Sequence, residues 1–169
     1  MNPDFEYIGY SAPTTIFSIT NGFDLFNRTL RLNAFLDYKG GFYIMNRTDS
    51  FHCSNFASCP ARSNPATSLE DQAAYVATTK NPSTTLGYTE KGDYWRLREL
   101  SATLALPQRY ASMLRAQNAS LSLGAKNLKV WTDFKGTDPE ANFDTGDLQD
   151  GIAASAPRQY FTMRLNLNF

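Results

Sequence analysis

The sequence predicts an all-β fold, an antiparallel up-and-down segment of a transmembrane β-barrel, from three observations. Several stretches of the 169-residue chain alternate apolar and polar side chains with the period of two that is typical of a half-covered strand. Charged residues inside these stretches fall on the polar parity. Short and long connections alternate, as periplasmic turns and external loops do in outer-membrane barrels. Because five strands cannot close a barrel, we expect them to be the C-terminal strands of a larger one.

The first two predicted strands form a hairpin. Residues 15–26 and 30–39 are joined by a short turn at Asn27 and Arg28. Asn21-Gly22 is an alternative turn by dipeptide preference, but it would interrupt the first strand's alternation halfway. The residues predicted to face outward are Phe17, Ile19, Phe23, Leu25, Leu30, Leu32, Ala34, Leu36 and Tyr38.

The third and fourth predicted strands cover residues 94–106, ending before Pro107, and residues 119–131. Residues 95–98 shift phase, which indicates a bulge or an extension into water. The outward sets are Leu100, Ala102, Leu104 and Leu106, then Ala119, Leu121, Leu123 and Ala125. The charges on the polar parity are Arg31, Asp37, Lys39, Glu99, Lys126 and Arg164. This sorting is expected of a barrel, since an Arg or Lys facing lipid at mid-bilayer costs ~2–4 kcal/mol.

The final predicted strand, residues 160–169, alternates without exception. Its apolar parity consists of Phe161, Met163, Leu165, Leu167 and Phe169. Such a face needs a cover, and lipid would provide one. A soluble sandwich also separates polar from apolar parities, so a soluble all-β carbohydrate-binding module is the alternative.

Composition excludes several classes of protein. The chain has no net charge, a pI near 6.6 and a mean hydropathy of −0.40, which argues against nucleic-acid binding. No apolar run approaches the ~20 residues of a spanning helix. The first residues contain neither a basic region nor an apolar core typical of a signal peptide. We therefore expect the start of the protein to be missing.

A motif near the fourth strand resembles the C-terminal region of SusC/RagA-like TonB-dependent outer-membrane transporters. There, an Asn-Leu at a strand end precedes an aromatic residue, a Gly and Asp-Pro-Glu. Residues 94–107 and 36–41 resemble further stretches of that family in the same order. The motif residues here are Asn127, Leu128, Trp131, Gly136, Asp138, Pro139 and Glu140.

The resemblance implies a barrel of about 22 strands in the cell outer membrane, with a plug domain that this chain lacks. It further implies import of bulky nutrients such as oligosaccharides or peptides, energised through TonB, usually with a SusD-like lipoprotein partner. The terminal strand matches the signal recognised by the barrel assembly machinery. Residues about 40–93 and 132–158 would be external loops. No enzymatic activity, cofactor or metal is expected.

The long loop contains the chain's two cysteines. In an oxidising external environment Cys53 and Cys59 are predicted to form a local disulfide. Zinc is the alternative, because His52 adjoins Cys53, but no second Cys/His cluster supplies the remaining ligands. Residues 68–75 begin like a capping box and predict a short helix. Aromatic loop residues could stack on sugars or pack the loop against itself: Phe42, Tyr43, Phe51, Phe56 and Tyr75.

The second long loop is acidic. Asp144-Thr145-Gly146 matches the tripeptide of aspartic proteases, but it does not follow an apolar strand, so the protease interpretation is rejected. With Asp138, Glu140, Asp147 and Asp150 the loop could bind calcium, although the spacing is not that of an EF-hand. A solvated acidic loop is the simpler interpretation.

Overall fold

The computed structural model describes residues 6–56, 58–81, 84–85, 87–140, 143–144, 149–150 and 155–169. The strands are β1 (Thr15–Leu25), β2 (Leu30–Gly40), β3 (Tyr43–Met45), β4 (Thr89–Lys91), β5 (Tyr94–Ala105), β6 (Asn118–Thr132), β7 (Phe143–Asp144), β8 (Gln149–Asp150) and β9 (Tyr160–Asn168). The helices are α1 (Arg47–Ser54), α2 (Pro60–Ser63), α3 (Leu69–Lys80) and α4 (Gln108–Met113). The chain divides into a sheet unit (Ile16–Tyr38, Trp95–Trp131, Pro157–Phe169) and a loop unit (Met1–Thr15, Lys39–Tyr94, Thr132–Ala156).

The five long strands form one sheet in chain order, β1-β2-β5-β6-β9. The end of β5 lies beside the starts of β2 and β6, because Ala105 N donates to Thr29 O (2.8 Å) and Leu106 N to Ala119 O (2.9 Å). β6 and β9 pair antiparallel over nine residue pairs, from Asn118↔Asn168 to Lys126↔Tyr160. This arrangement confirms the predicted antiparallel up-and-down fold class.

The first hairpin turns where the sequence predicts it. Thr29 N donates to Phe26 O at 3.0 Å, and the two central residues have positive φ, +53° at Asn27 and +66° at Arg28. Positive φ at both positions gives the turn a twist that matches the flanking strands. β1 runs unbroken through Gly22, so the alternative turn at Asn21-Gly22 is wrong.

Two of the long strands contain a local irregularity of the backbone. The neighbours Arg98 and Glu99 in β5 both bond to side chains of the polar parity, Asp37 and Lys126. Two consecutive residues on one side of a strand indicate a β-bulge, which is one of the two interpretations that the phase shift at 95–98 allows. In β6, Asn127 has a φ of +53°, a conformation that Asn tolerates better than most residues.

The loop unit contains its own helices and a second sheet, ordered β4-β3-β8-β7. Asn46 caps α1 by accepting from Asp49 N (3.3 Å), and Ser68 caps α3 by accepting from Asp71 N (3.1 Å). The helix predicted at 68–75 is thus confirmed and extends to Lys80. Within the described ranges, no helix is both long and apolar enough to cross a membrane.

Candidate functional site: the two faces of the sheet

One face of the sheet is apolar and uncovered. Many large apolar side chains of the predicted outward parity are exposed, from 38% for Leu104 to 77% for Met163, whereas those of β2 are half-buried. In β9, Leu165 lies opposite Leu121, and Met163 opposite Leu123, so these side chains are neighbours on one surface. An open hollow of about 680 Å³ lies on this face. Its apolar lining includes Phe23, Leu32, Leu100, Leu123, Phe161 and Met163.

This exposure bears on the alternative of a soluble sandwich. Two stacked sheets would bury the inner parity of each in a dry core. In the described part of the sheet unit there is a single sheet, and Leu123 and Leu165 are each about half exposed (50% and 52%). The face therefore lacks the second layer that a sandwich requires.

The opposite face carries a polar ladder that runs from strand to strand. Asp24 and Arg31 form an ion pair (2.7 Å) between β1 and β2. Asn33 Nδ2 donates to Ser101 Oγ (3.4 Å), and the hydroxyls of Thr103 and Ser122 are 3.0 Å apart. Lys126 pairs with Glu99 (3.4 Å) between β5 and β6, and Asn166 Nδ2 donates to Ser120 Oγ (3.4 Å) between β9 and β6. The polar side chains thus satisfy one another within the sheet.

Two charged side chains of the sheet are almost completely buried: Arg96 (2% exposed) and, on this face, Asp37 (5% exposed). Arg98 Nε lies 3.0 Å from both carboxylate oxygens, and Nη2 lies 2.8 Å from Oδ2. A forked guanidinium contact of this kind fixes the orientation of both groups. Sequence reasoning missed this pair because it placed Arg98 in a segment of uncertain phase. The adjacent charges Arg98-Glu99 were the available signal.

Aromatic side chains cluster at the end of the sheet that lies opposite the two short turns. The Trp95 ring lies 5.0 Å from Tyr38 and 6.1 Å from Phe17, measured between centroids. Phe17 and Tyr38 belong to the outward parity, so the bulge carries Trp95 to the apolar face. Such a band is typical of the boundary between lipid and water.

The family motif spans both units. In the sheet unit, Asn127 Nδ2 donates to Arg158 O (3.2 Å), which ties Asn127 to the segment that precedes β9. Leu128 O accepts from Gln159 Nε2 (2.7 Å), and Trp131 is 47% exposed. The first half of the motif therefore bonds β6 to the segment before β9.

The second half of the motif forms a tight turn in the loop unit. Asp138 is buried, and its Oδ1 accepts from Glu140 N (2.8 Å). Pro139 is fully buried, and Glu140 pairs with Lys39 (3.3 Å). A Cβ at Gly136 would collide with the Phe134 ring. Each motif residue in this half thus has a structural role in the turn.

The loop unit also holds the disulfide. Cys53 and Cys59 are bonded, with Cα atoms 4.8 Å apart, and they pack with Ala74 and Tyr88. Bonded sulfurs cannot serve as thiolate ligands for zinc. Among the described residues, no group of three His, Cys, Asp or Glu side chains could hold a metal. Burial raises the pKa of Tyr88 above its usual 10.0.

A cavity of about 400 Å³ adjoins the disulfide. Its carboxylates have protein partners: Asp71 pairs with Lys135 (3.6 Å), and Glu90 accepts from Lys135 N (2.8 Å). Of the loop's aromatic residues, Phe42 is buried, whereas Phe56 is 70% exposed. Residues 145–148, which contain most of the protease-like tripeptide and Asp147, lie outside the described residues, as do the side chains of Asp144 and Asp150.

Comparison with known proteins gives relatives of one kind. No protein-family model matches the chain. TonB-dependent receptor P3 of Formosa agariphila is 34% identical over 89 residues, which cover 48% of this chain and 9% of that protein. The RagAB peptide importer in its open-open state matches with a TM-score of 0.53 and 25% identity, over 84% of this chain and 16% of that one. Its closed-closed state matches with the same TM-score, 22% identity and 86% of this chain.

Proposed function

We propose that this chain, a segment of the SusC/RagA-like family of TonB-dependent receptors, forms part of the wall of a transport barrel in the bacterial outer membrane. It spans only 9% to 16% of the length of the relatives it matches. We infer that it supplies five C-terminal strands of that barrel and two external loops. The resemblance extends the proposal to uptake of peptides or oligosaccharides, energised through TonB.

One observation carries the proposal: an uncovered apolar parity runs across all five strands, and a self-satisfied polar ladder occupies the other parity. Lipid would cover the first face at no desolvation cost. The second face would border the wet, plugged interior. Apolar Leu123 and polar Ser122 are consecutive in β6, so one strand serves both environments.

The connections support an orientation. The β1–β2 and β5–β6 connections are short, and the hydrogen bonds of Ala105 and Leu106 place them at one end of the sheet. We assign that end to the periplasm and the disulfide-bonded loop unit to the cell exterior, where thiols oxidise readily. External loops 40–93 and 132–158 are part of this proposal. A SusD-like lipoprotein partner, which the resemblance implies, would be met on that side.

The last strand has a separate proposed role. Phe161, Met163, Leu165, Leu167 and Phe169 form one apolar parity, paired on a single side by β6. We propose that this strand is the signal recognised by the barrel assembly machinery. We propose no enzymatic step, because the matched relatives are named as a receptor and a peptide importer.

Peptide tags test the orientation in cells that make the whole gene product. A tag inserted after Ser63, in the loop unit, should bind antibody on intact cells. A tag after Ser112, in the β5–β6 connection, should bind only after the outer membrane is permeabilised. Labelling of the Ser112 tag on intact cells, or recovery of folded protein in buffer without detergent, would refute the proposed placement.

Uptake assays test the substrate class. Cells with and without the gene would be given labelled oligopeptides or oligosaccharides as sole nutrient, and TonB would be depleted in a parallel culture. We expect gene-dependent uptake of one class that stops when TonB is depleted. Uptake that is independent of TonB would contradict the proposed energisation.

A further inference from the structure

The two short connections share an unusual surface, here named the turn rim and defined as residues 26–29 and 107–117. Four of its large apolar side chains are exposed: Phe26 (77%), Tyr110 (45%), Met113 (79%) and Leu114 (46%). It contains three arginines, Arg28, Arg109 and Arg115, and no Asp or Glu. The rim therefore combines exposed apolar surface with unbalanced positive charge.

The exposed side chains of the rim are held by an ordered scaffold. In the β5–β6 connection, Ala111 and Ala116 are buried, and Ala116 N donates to Ala111 O (2.9 Å). Gln117 N donates to Asn168 O (2.6 Å), which ties the connection to the end of β9. The apolar side chains consequently project from a fixed backbone, and their exposure is part of the fold.

The arginines of the rim are available to an external anion. Among the residues that the structure describes, no carboxylate forms an ion pair with Arg109 or Arg115, whereas Arg28 interacts electrostatically with Asp24. Arg109 lies over the Tyr110 ring, 4.7 Å from its centroid, and Nη2 donates to Tyr110 Oη (3.0 Å). Stacking leaves the remaining guanidinium donors free for other partners. In the neighbouring strands, by contrast, Arg31 is paired with Asp24.

The position of the rim suggests its partner. It begins at the end of the sheet, because Leu106, the residue after β5, donates its N–H to Ala119 O near the start of β6 (2.9 Å). Under the proposed function, that level of the barrel meets the phospholipid headgroups of the inner leaflet. Headgroup phosphates are anionic, and the acyl chains directly above them accept apolar side chains.

We propose that the turn rim binds phospholipid headgroups, with Arg109 and Arg115 on phosphates and Met113 and Leu114 at the boundary with the acyl chains. This inference rests on the proposed function, because it requires the sheet to span a membrane. It adds an anchoring site that fixes the depth of this part of the barrel. Arg109 and Arg115 thereby gain an anionic partner, which the described residues of this chain do not provide.

Depth-dependent quenching tests the site in the whole gene product, reconstituted in phosphatidylethanolamine vesicles with nitroxide-labelled lipids. A fluorophore is attached to Met113→Cys, Leu123→Cys or Phe56→Cys, while the bonded Cys53 and Cys59 remain unlabelled. We expect nitroxides near the headgroup to quench position 113 most strongly and deep nitroxides to quench position 123. Position 56, in the loop unit, should be quenched by neither.

The labels separate failure of this inference from failure of the proposed function. Quenching at 123 with none at 113, or deeper quenching at 113 than at 123, would overturn headgroup docking and leave the barrel wall intact. Absence of quenching at 123 would overturn the wall itself, and docking with it.

Charge variants test the role of the arginines. Adding phosphatidylglycerol should strengthen shallow quenching at position 113, and the Arg109→Gln/Arg115→Gln variant should lose that increase. Lys80→Gln/Lys91→Gln, which removes the same charge from the loop unit, should retain it. Unchanged quenching at position 123 would show that the arginine variant is folded and inserted. An undiminished phosphatidylglycerol effect in that variant would refute phosphate binding.

Discussion

Placing a charge on the apolar parity of the last strand should prevent stable insertion. Leu165 is 52% exposed on the face assigned to lipid and lies opposite Leu121 of β6. In Leu165→Arg, a guanidinium would enter hydrocarbon at a cost of ~2–4 kcal/mol near mid-bilayer. Loss of the cross-strand Leu pair adds about 0.2–1 kcal/mol. At about 1.4 kcal/mol per factor of ten, the ratio of folded to unfolded protein should fall by roughly 30-fold or more.

The assay is urea titration of the whole gene product refolded into phospholipid vesicles, followed by tryptophan fluorescence. Because this system contains no assembly machinery, it measures the lipid contact apart from any loss of the proposed terminal signal. The matched control is Arg164→Gln, the neighbouring residue, which lies opposite Ser122 on the polar parity. It should change stability by less than about 1 kcal/mol. Equal effects of the two substitutions would refute the assignment of faces.

Three further predictions concern single interactions. Asp37→Ala should destabilise the whole gene product by about 3–5 kcal/mol in the same titration, because it leaves the half-buried guanidinium of Arg98 without this carboxylate. The double variant with Arg98→Leu should recover part of that loss. A double variant that is no more stable than Asp37→Ala would contradict this reasoning. Cys53→Ser should lower the stability of the loop by roughly 2 kcal/mol, because it removes the disulfide with Cys59. The loop should then be cleaved faster by a protease than in the unmodified protein. Equal rates of cleavage would argue against a stabilising disulfide. Burial raises the pKa of Tyr88 above 10.0, so above about pH 10 the unfolded loop loses this proton first and binds fewer protons than the folded loop. The stability of the loop should therefore fall as the pH rises. Hydrogen exchange should show a shallower fall in Tyr88→Phe, and an identical fall would contradict the assignment to Tyr88.

The long strands could be predicted from the sequence because their faces meet two different environments. The alternation that ends in β9 is a direct consequence of that difference, and the observed strand Tyr160–Asn168 agrees with the prediction to within one residue. The turn at Asn27 and Arg28 was also readable, since breaking β1 at Gly22 would have disturbed its pattern. In both cases the pattern that predicts the structure lies within the strand or turn itself.

What the sequence did not reveal depends on contacts between distant residues. The Asp37–Arg98 pair joins residues 61 apart and needs a bulge whose location alternation alone leaves open. The positive φ of Asn127 is stabilised by the Arg158 carbonyl, which lies 31 residues away. Likewise, α1 and the second sheet of the loop unit follow from tertiary packing, so only the capped helix α3 was predicted.

The bulge at Arg98 and Glu99 reverses the side-chain alternation of β5 partway along the strand. After the bulge, even-numbered residues such as Leu100 lie on the apolar face, whereas before it the odd-numbered Trp95 lies on that face. A charge scan through this strand should therefore give a pattern of tolerated positions that reverses between 98 and 99. One extra residue thus exchanges the sides of the sheet that odd and even positions occupy in the first part of β5, while β5 keeps its place between β2 and β6.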